Sequence, residues 1–191
     1  YLTKKVERKD VLSMYAGLRP LAAPQDKSEK TKEISRSHKI IVSNSGLVTI
    51  TGGKWTTYRR MAQDTINKVI AIGKLNKESC KTASLSIHGS TEIVDRNDHL
   101  YIYGTDYQEI KKLIEEDQGL GEKLHPKLDY LKAEVVWAVR NEMARTIEDV
   151  LARRVRVLFL DARAAVEMAP LVADILAKEL DKTIEWKTTQ I

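Results

Sequence analysis

Cysteine is almost absent from this sequence: its 191 residues include one, Cys80. That excludes a disulfide framework or a multi-cysteine metal site within the chain, and makes a reduced compartment the natural setting. Long apolar runs are missing too. None approaches the ~20 residues of a membrane-spanning helix, and the most apolar short stretch, Val155 to Leu160, is interrupted by Arg156. His88, His99 and His125 have no metal-ligand spacing, so no metal is expected. There is no internal repeat, no Ser–His–Asp or paired-carboxylate arrangement, and no nucleic-acid motif with aromatics interleaved among basic residues. What is present is a 42% hydrophobic content, ordinary for a globular chain of one or two domains with a sizeable core.

Charge is distributed unevenly. Residues 1–60 carry a net charge of +8, and residues 61–191 a net −3. A positive field over the first third would attract an anionic ligand; equally, Lys4, Lys5, Lys9, Lys27, Lys30 and Lys32 can be solvated loop lysines. Arg153, Arg154 and Arg156 form a second basic cluster. It reads better as a helix-end group paired with Glu148, Asp149 or Asp161 than as a membrane or nucleic-acid patch.

Periodicity divides the chain. Residues 1–10 resemble a frayed or torn strand, and Val11 to Arg19 a strand ended by Pro20 and Pro24. After a polar loop over Gln25 to Lys32, Ile34–Val42 and Leu47–Thr51 are expected to form a β-hairpin about the turn Asn44-Ser45-Gly46. From Lys54 the period becomes helical, with Trp55, Tyr58, Ala62, Thr65, Ile66, Val69 and Ile70 on one face and Gly73 as a C-cap. Tyr58 is expected in the core. Residues 74–85 are polar, which places a domain boundary near 75–80. Ser84 to His88 suggests a short strand.

The remainder reads as helical. Thr105 or Asp106 can start a helix through Asp117, and Leu128 to Ala144 form another. A short helix capped by Thr146 and Asp149 runs to Arg154. A long amphipathic run follows from Asp161, which Pro170 should kink or split near Ala169. Asp181 to Ile191 are expected to be loose.

The most informative stretch is Ile50-Thr51-Gly52-Gly53-Lys54-Trp55-Thr56. A strand that turns through two glycines into a helix presents unpaired N–H groups and the positive end of a helix dipole. Without Cβ atoms, Gly52 and Gly53 allow close approach of a ligand to the backbone. Lys54 adds a full positive charge at a helix start, where a lysine is unfavourable unless an anion accompanies it. An ordinary strand–helix connection is the alternative. Arg19 and Arg36, each beside an apolar strand, offer planar forks suited to phosphate oxygens; salt bridges to carboxylates are their alternative.

Taken in order, Tyr15-Ala16-Gly17-Leu18-Arg19-Pro20-Leu21, Ser35-Arg36-Ser37-His38, Thr51-Gly52-Gly53-Lys54-Trp55-Thr56-Thr57-Tyr58-Arg59 and the later Ala152 to Arg163 resemble the FAD-dependent glycerol-3-phosphate dehydrogenases, flavoproteins built like D-amino acid oxidase. Trp55 stands where leucine is the commoner residue. The resemblance implies an α+β fold: a β-hairpin, strand remnant and helix of the flavoprotein domain over 1–75, then a mainly α-helical C-terminal domain over 76–191. No G-x-G-x-x-G occurs and the chain starts at Tyr1, as expected of a piece of a longer protein.

The resemblance further implies FAD as cofactor, contacted by Gly52, Gly53, Lys54, Trp55 and Thr56. Arg19 and Arg36 would face the substrate, glycerol 3-phosphate, with catalytic roles shared by Arg19, Arg36 and Lys54, and His38 could line the site. Electrons would pass to a quinone, from a cytoplasmic, membrane-associated enzyme that could be a homo-oligomer and binds no nucleic acid. The fragment alone is expected to be inactive. A glycerol-3-phosphate oxidase that uses oxygen is one alternative; a helical module that docks on a membrane or partner is another.

Overall fold

The computed structural model describes residues 3–18, 37–93 and 95–191. They form two compact units, Gly17–Ser86 and the combination of Tyr1–Ala16 with Ile87–Ile191. The α+β description holds: a two-stranded antiparallel sheet and helices, with the second unit mainly helical.

In the first unit, β1 (His38–Val42) pairs with β2 (Val48–Gly52). Ser43 N–H donates to Leu47 C=O (3.0 Å), Gly46 N–H to Ser43 C=O (3.0 Å), and the Ser43 hydroxyl accepts from Leu47 N–H (3.1 Å). This closes the expected turn and fixes the register His38↔Gly52, Ile40↔Ile50 and Val42↔Val48. Opposed residues share a face, and His38, Ile40, Val48, Ile50 and Gly52 on one face are partly covered, as is Thr51 on the other. Helix α1 (Tyr58–Gly73) packs on β2. It stops one residue later than the expected glycine cap, with Lys74 in the left-handed conformation (φ 51°).

The helix face expected to be buried is only partly so. Thr65, Val69 and Ile70 are half-covered, whereas Trp55, Tyr58, Ala62 and Ile66 are exposed. Among the described residues of this unit none is fully buried; two strands and one helix enclose too little volume to exclude water from both sides of the helix.

The second unit contains the core. Helices α2 (Tyr107–Glu116), α3 (Lys132–Asn141), α4 (Val157–Leu160), α5 (Ala162–Glu179) and α6 (Ile184–Gln190) are joined by 3₁₀ turns and a π-helical stretch, Asp149–Arg154. Val135, Val139, Val150, Leu151, Val157, Met168, Val172 and Leu176 interlock in one cluster. Leu100, Ile110, Ala133 and Trp137 form a smaller one. Each such side chain contributes about 1.5–3 kcal/mol by leaving water.

The Thr146–Asp149 cap is reciprocal: Asp149 N–H donates to the Thr146 hydroxyl (3.1 Å) and Thr146 N–H to the Asp149 carboxylate (3.0 Å). Arg153 pairs with Glu148 and Asp149, and Arg154 with Glu142. The Asp161 carboxylate caps α5 by accepting from Arg163 and Ala164 N–H, both at 3.1 Å.

Several expectations are corrected. Residues 11–18 and 84–88 form no strand. Instead Ala162 N–H donates to Leu12 C=O (3.0 Å) and the Ser13 hydroxyl to Leu158 C=O (2.8 Å), so the N-terminal segment lies on α4 and α5. Pro170 does not split α5. It lies on the solvent side, as does Val166 four residues earlier, whose carbonyl lacks its helical donor, so water can serve that carbonyl. The last residues form α6, started by the Thr183 hydroxyl accepting from Trp186 N–H (3.3 Å) and held by Trp186 against the core.

Glu134 joins the two clusters of this unit. Fully buried in the first turn of α3, it accepts from Leu131 N–H (2.6 Å) and the Tyr103 hydroxyl (2.9 Å) and lies 2.9 Å from His99 Nε2. A carboxylate at a helix start is favoured by the dipole, and three partners offset its desolvation. Burial, reinforced by Glu134, raises the Tyr103 phenol.

Glu134→Ala strands His99 and Tyr103 and should lower unfolding free energy by about 3–5 kcal/mol in urea titration. The Glu134 hydrogen bond also raises His99 above the ordinary 6.5, against burial. A raised folded-state value stabilises fully below the unfolded value and is lost as pH rises through the folded one. The stability difference between wild type and His99→Asn should therefore be largest below about pH 6.5 and shrink above it.

Candidate functional site

The junction between β2 and α1 is built from backbone conformation first. Gly52 and Gly53 are both left-handed, at φ 76° and 80°. A side chain disfavours that region. The chain then returns to an extended conformation at Lys54 (φ −136°, ψ 151°) and enters a 3₁₀ turn, Trp55–Thr57, that runs into α1. Thr57 locks the turn: its hydroxyl donates to Lys54 C=O (2.9 Å) and accepts from Lys54 N–H (3.3 Å). The N–H groups of Trp55 and Thr56 begin the helical segment, ahead of any intrahelical acceptor.

Lys54 therefore uses its backbone to cap the turn and leaves its side chain exposed. Trp55 is 88% exposed and stacks on Tyr58 with ring centroids 5.8 Å apart. Tyr58, expected in the core, is itself more than half exposed, because the packing of α1 on β2 leaves it uncovered.

An open cleft of about 300 Å³ borders the junction, lined by Ser37, His38, Lys54, Thr57 and Arg60. His38 faces Gly52 across the hairpin, and its Nε2 lies 3.2 Å from the Asp64 carboxylate on α1. Arg60 Nε holds the other Asp64 oxygen at 3.1 Å.

The expected flavin residues Gly52, Gly53, Lys54, Trp55 and Thr56 thus fall at one turn. Arg19 and Arg36 lie outside the described residues. The sequence reading missed Thr57, Arg60 and Asp64. The i, i+4 spacing of Arg60 and Asp64 was visible, but their approach to His38 depends on the hairpin register.

The helical unit has a cleft of similar size beside His88, Asp106, Glu142, Arg153 and Arg154. There the charged groups satisfy one another: His88 lies 2.7 Å from Asp106, Arg154 pairs with Glu142, and Arg153 with Glu148 and Asp149.

A hairpin that feeds through two left-handed glycines into a cation-bearing helix start, followed by a helical unit, defines an α+β protein. Residues 47–190 match the sequence model of a family described as the C-terminal domain of alpha-glycerophosphate oxidase, and the chain belongs to that family. It is 39% identical to a probable mitochondrial glycerol-3-phosphate dehydrogenase of Caenorhabditis elegans, covering 94% of this chain and 28% of that protein. It is 37% identical to the mitochondrial glycerol-3-phosphate dehydrogenase SDP6 of Arabidopsis thaliana, covering 94% of this chain and 33% of that one. Among solved structures, the glycerol-3-phosphate dehydrogenase of Bacillus halodurans in complex with FAD is similar, with a TM-score of 0.62 and 26% identity over 79% of this chain and 35% of that one. The chain thus spans about a third or less of these relatives' length.

A Cβ added at Gly53 would fall 2.5 Å from Met61 Sδ and 3.3 Å from His38 Cβ. Gly53→Ala combines that crowding with the left-handed cost of about 1–2 kcal/mol. It should lower the melting temperature measurably, whereas Gly17→Ala, with open space around it, should not.

Proposed function

We infer that this chain is the C-terminal part of an FAD-dependent glycerol-3-phosphate dehydrogenase, which oxidises sn-glycerol 3-phosphate to dihydroxyacetone phosphate and passes the electrons to a quinone. The observation that carries the reading is Lys54, exposed at a cleft directly after two left-handed glycines, in a chain whose family match begins at residue 47. In this reading 1–75 belong to the flavoprotein domain and 76–191 to the helical domain. The fragment alone does not turn over.

The residues fit the cofactor. The N–H donors of the first turn, with the Lys54 ammonium, suit the electron-rich edge of a flat ring. FAD supplies a hydride acceptor when bound. Lys54 and the N–H groups of Trp55 and Thr56 then hold the negative charge that develops on reduction, in place before the reaction and so without reorganisation. The Trp55–Tyr58 stack stands exposed beside the turn. Arg19 and Arg36 hold the phosphate or the C2 oxygen, as the sequence motifs imply, with Arg forks matched to phosphate geometry.

The intact protein works at a membrane surface, with homo-oligomers compatible with this reading. None of the described helices is long and apolar enough to cross a membrane. The eukaryotic relatives are named as mitochondrial, so a mitochondrial location competes with the cytoplasmic one. A second reading, an oxidase that delivers electrons to oxygen, draws support from the description of the matched family. Peroxide yield against quinone reduction separates the two.

In the intact, flavin-loaded protein, Lys54→Ala should lower kcat/KM for glycerol 3-phosphate by about 10²–10³-fold. Arg19→Ala and Arg36→Ala should each lower it by about 10–100-fold, mainly through KM, as expected for loss of a charge-assisted hydrogen bond. Unchanged steady-state kinetics in all three variants would remove the site assignment.

A further inference from the structure

We propose that His38 is the proton acceptor of this site and that Asp64 positions it. The proposal rests on the reading above and adds a residue to it. Oxidation of a secondary alcohol removes two things from the substrate. The C2–H bond breaks and its electron pair leaves as hydride to the flavin; the O–H bond breaks, its proton goes to a base, and its electron pair becomes the second C2–O bond. A carbinol is far too weak an acid to lose that proton without a positioned acceptor.

Among the described residues lining the cleft, His38 is the only side chain built to be that base. Lys54 and Arg60 are cations, and Ser37 and Thr57 carry neutral hydroxyls. Asp64 is already engaged on both oxygens, one at 3.2 Å from His38 Nε2 and the other at 3.1 Å from Arg60 Nε. A carboxylate facing Nε2 keeps the ring hydrogen there, which leaves Nδ1 with the lone pair.

Position is fixed from two sides. The hairpin register sets His38 opposite Gly52, and α1 brings Asp64 to it from the next element. His38 Cβ also lies 3.3 Å from the place a Cβ on Gly53 would occupy, so its side chain starts beside the glycine turn. Among the described residues, the charged groups beside His38 are Asp64 and Arg60 from α1 and Lys54 from the turn. Lys54 thus handles the charge arriving with the hydride, and His38 the proton.

The test uses the intact, flavin-loaded protein with His38→Asn, His38→Gln and Asp64→Asn. Three quantities are measured: kcat/KM for glycerol 3-phosphate against pH, flavin content by absorbance, and binding of dihydroxyacetone phosphate by calorimetry. In the wild type, kcat/KM falls on the acid side as the base becomes protonated. In both His38 variants it should drop by about 10²–10⁴-fold near neutrality and lose that acid-side fall. Flavin content and product binding should stay unchanged. Asp64→Asn should lower kcat more than it raises KM and displace the acid-side fall.

An acid-side fall that persists unaltered in the His38 variants overturns the proposal and leaves the dehydrogenase reading standing. A wild-type protein whose flavin is not reduced by glycerol 3-phosphate overturns both. Should the His38 variants fail to retain flavin, Asp64→Asn decides alone: a pH profile superimposable on the wild type counts against the pair, and a displaced one supports it.

Discussion

Two consecutive left-handed residues govern the architecture around the candidate site. Without Gly52 and Gly53 the second strand would run on past its partner, and α1 could not fold back onto the hairpin. With them, the chain reverses within two residues and Lys54 emerges at the edge of the sheet. Everything chemically suggestive here follows from that reversal. It aligns the first-turn N–H groups, exposes Trp55, and brings Asp64 within reach of His38. Met61 occupies the space a side chain at residue 53 would need, so the backbone conformation and the packing of α1 specify one another.

The two units meet the demands of folding differently. The helical unit buries a conventional apolar core and a single carboxylate, Glu134, whose partners are Leu131, just before α3, and His99 and Tyr103 of the 3₁₀ segment His99–Asp106. Such an arrangement fixes one packing of α3 against its neighbours, because each partner left without the carboxylate is a half-buried polar group unpaired. The unit with the glycine turn has no fully buried residue among those described. Its stability rests on the hairpin ladder, the α1–β2 contact and the Arg60–Asp64–His38 chain. Apolar residues such as Ile41, Leu47 and Ile66 remain exposed there, as suits a segment of a larger domain.

Local signals were legible in the sequence where they were self-contained. The Asn44-Ser45-Gly46 turn, the change of period after Lys54, and the Thr146–Asp149 cap each involve residues close in sequence, and each appears as read. Readings that depended on distant partners fared worse. Val11 to Leu18 has strand-like composition, yet Leu12 C=O accepts from Ala162 N–H, about 150 residues away, rather than from a neighbouring strand. Pro170 was expected to break a helix, but a proline on the wet face removes only a hydrogen bond that water can replace. Tyr58 looked like core because of its spacing, and spacing does not reveal whether a second layer covers the helix. At the site, the glycine–lysine motif was visible in sequence; the His38–Asp64 pairing required the hairpin register and could not be read from it.

In the proposed function Lys54 faces the electron-rich edge of a bound flavin. The most direct measurement is the two-electron midpoint potential of the flavin in the intact protein and in Lys54→Met. Loss of a cation that favours the reduced form should make the potential more negative by about 30 mV or more, equivalent to about 1.4 kcal/mol for a two-electron couple. An unchanged potential, with flavin fully bound in both proteins, would mean that Lys54 is remote from the ring and would contradict the account.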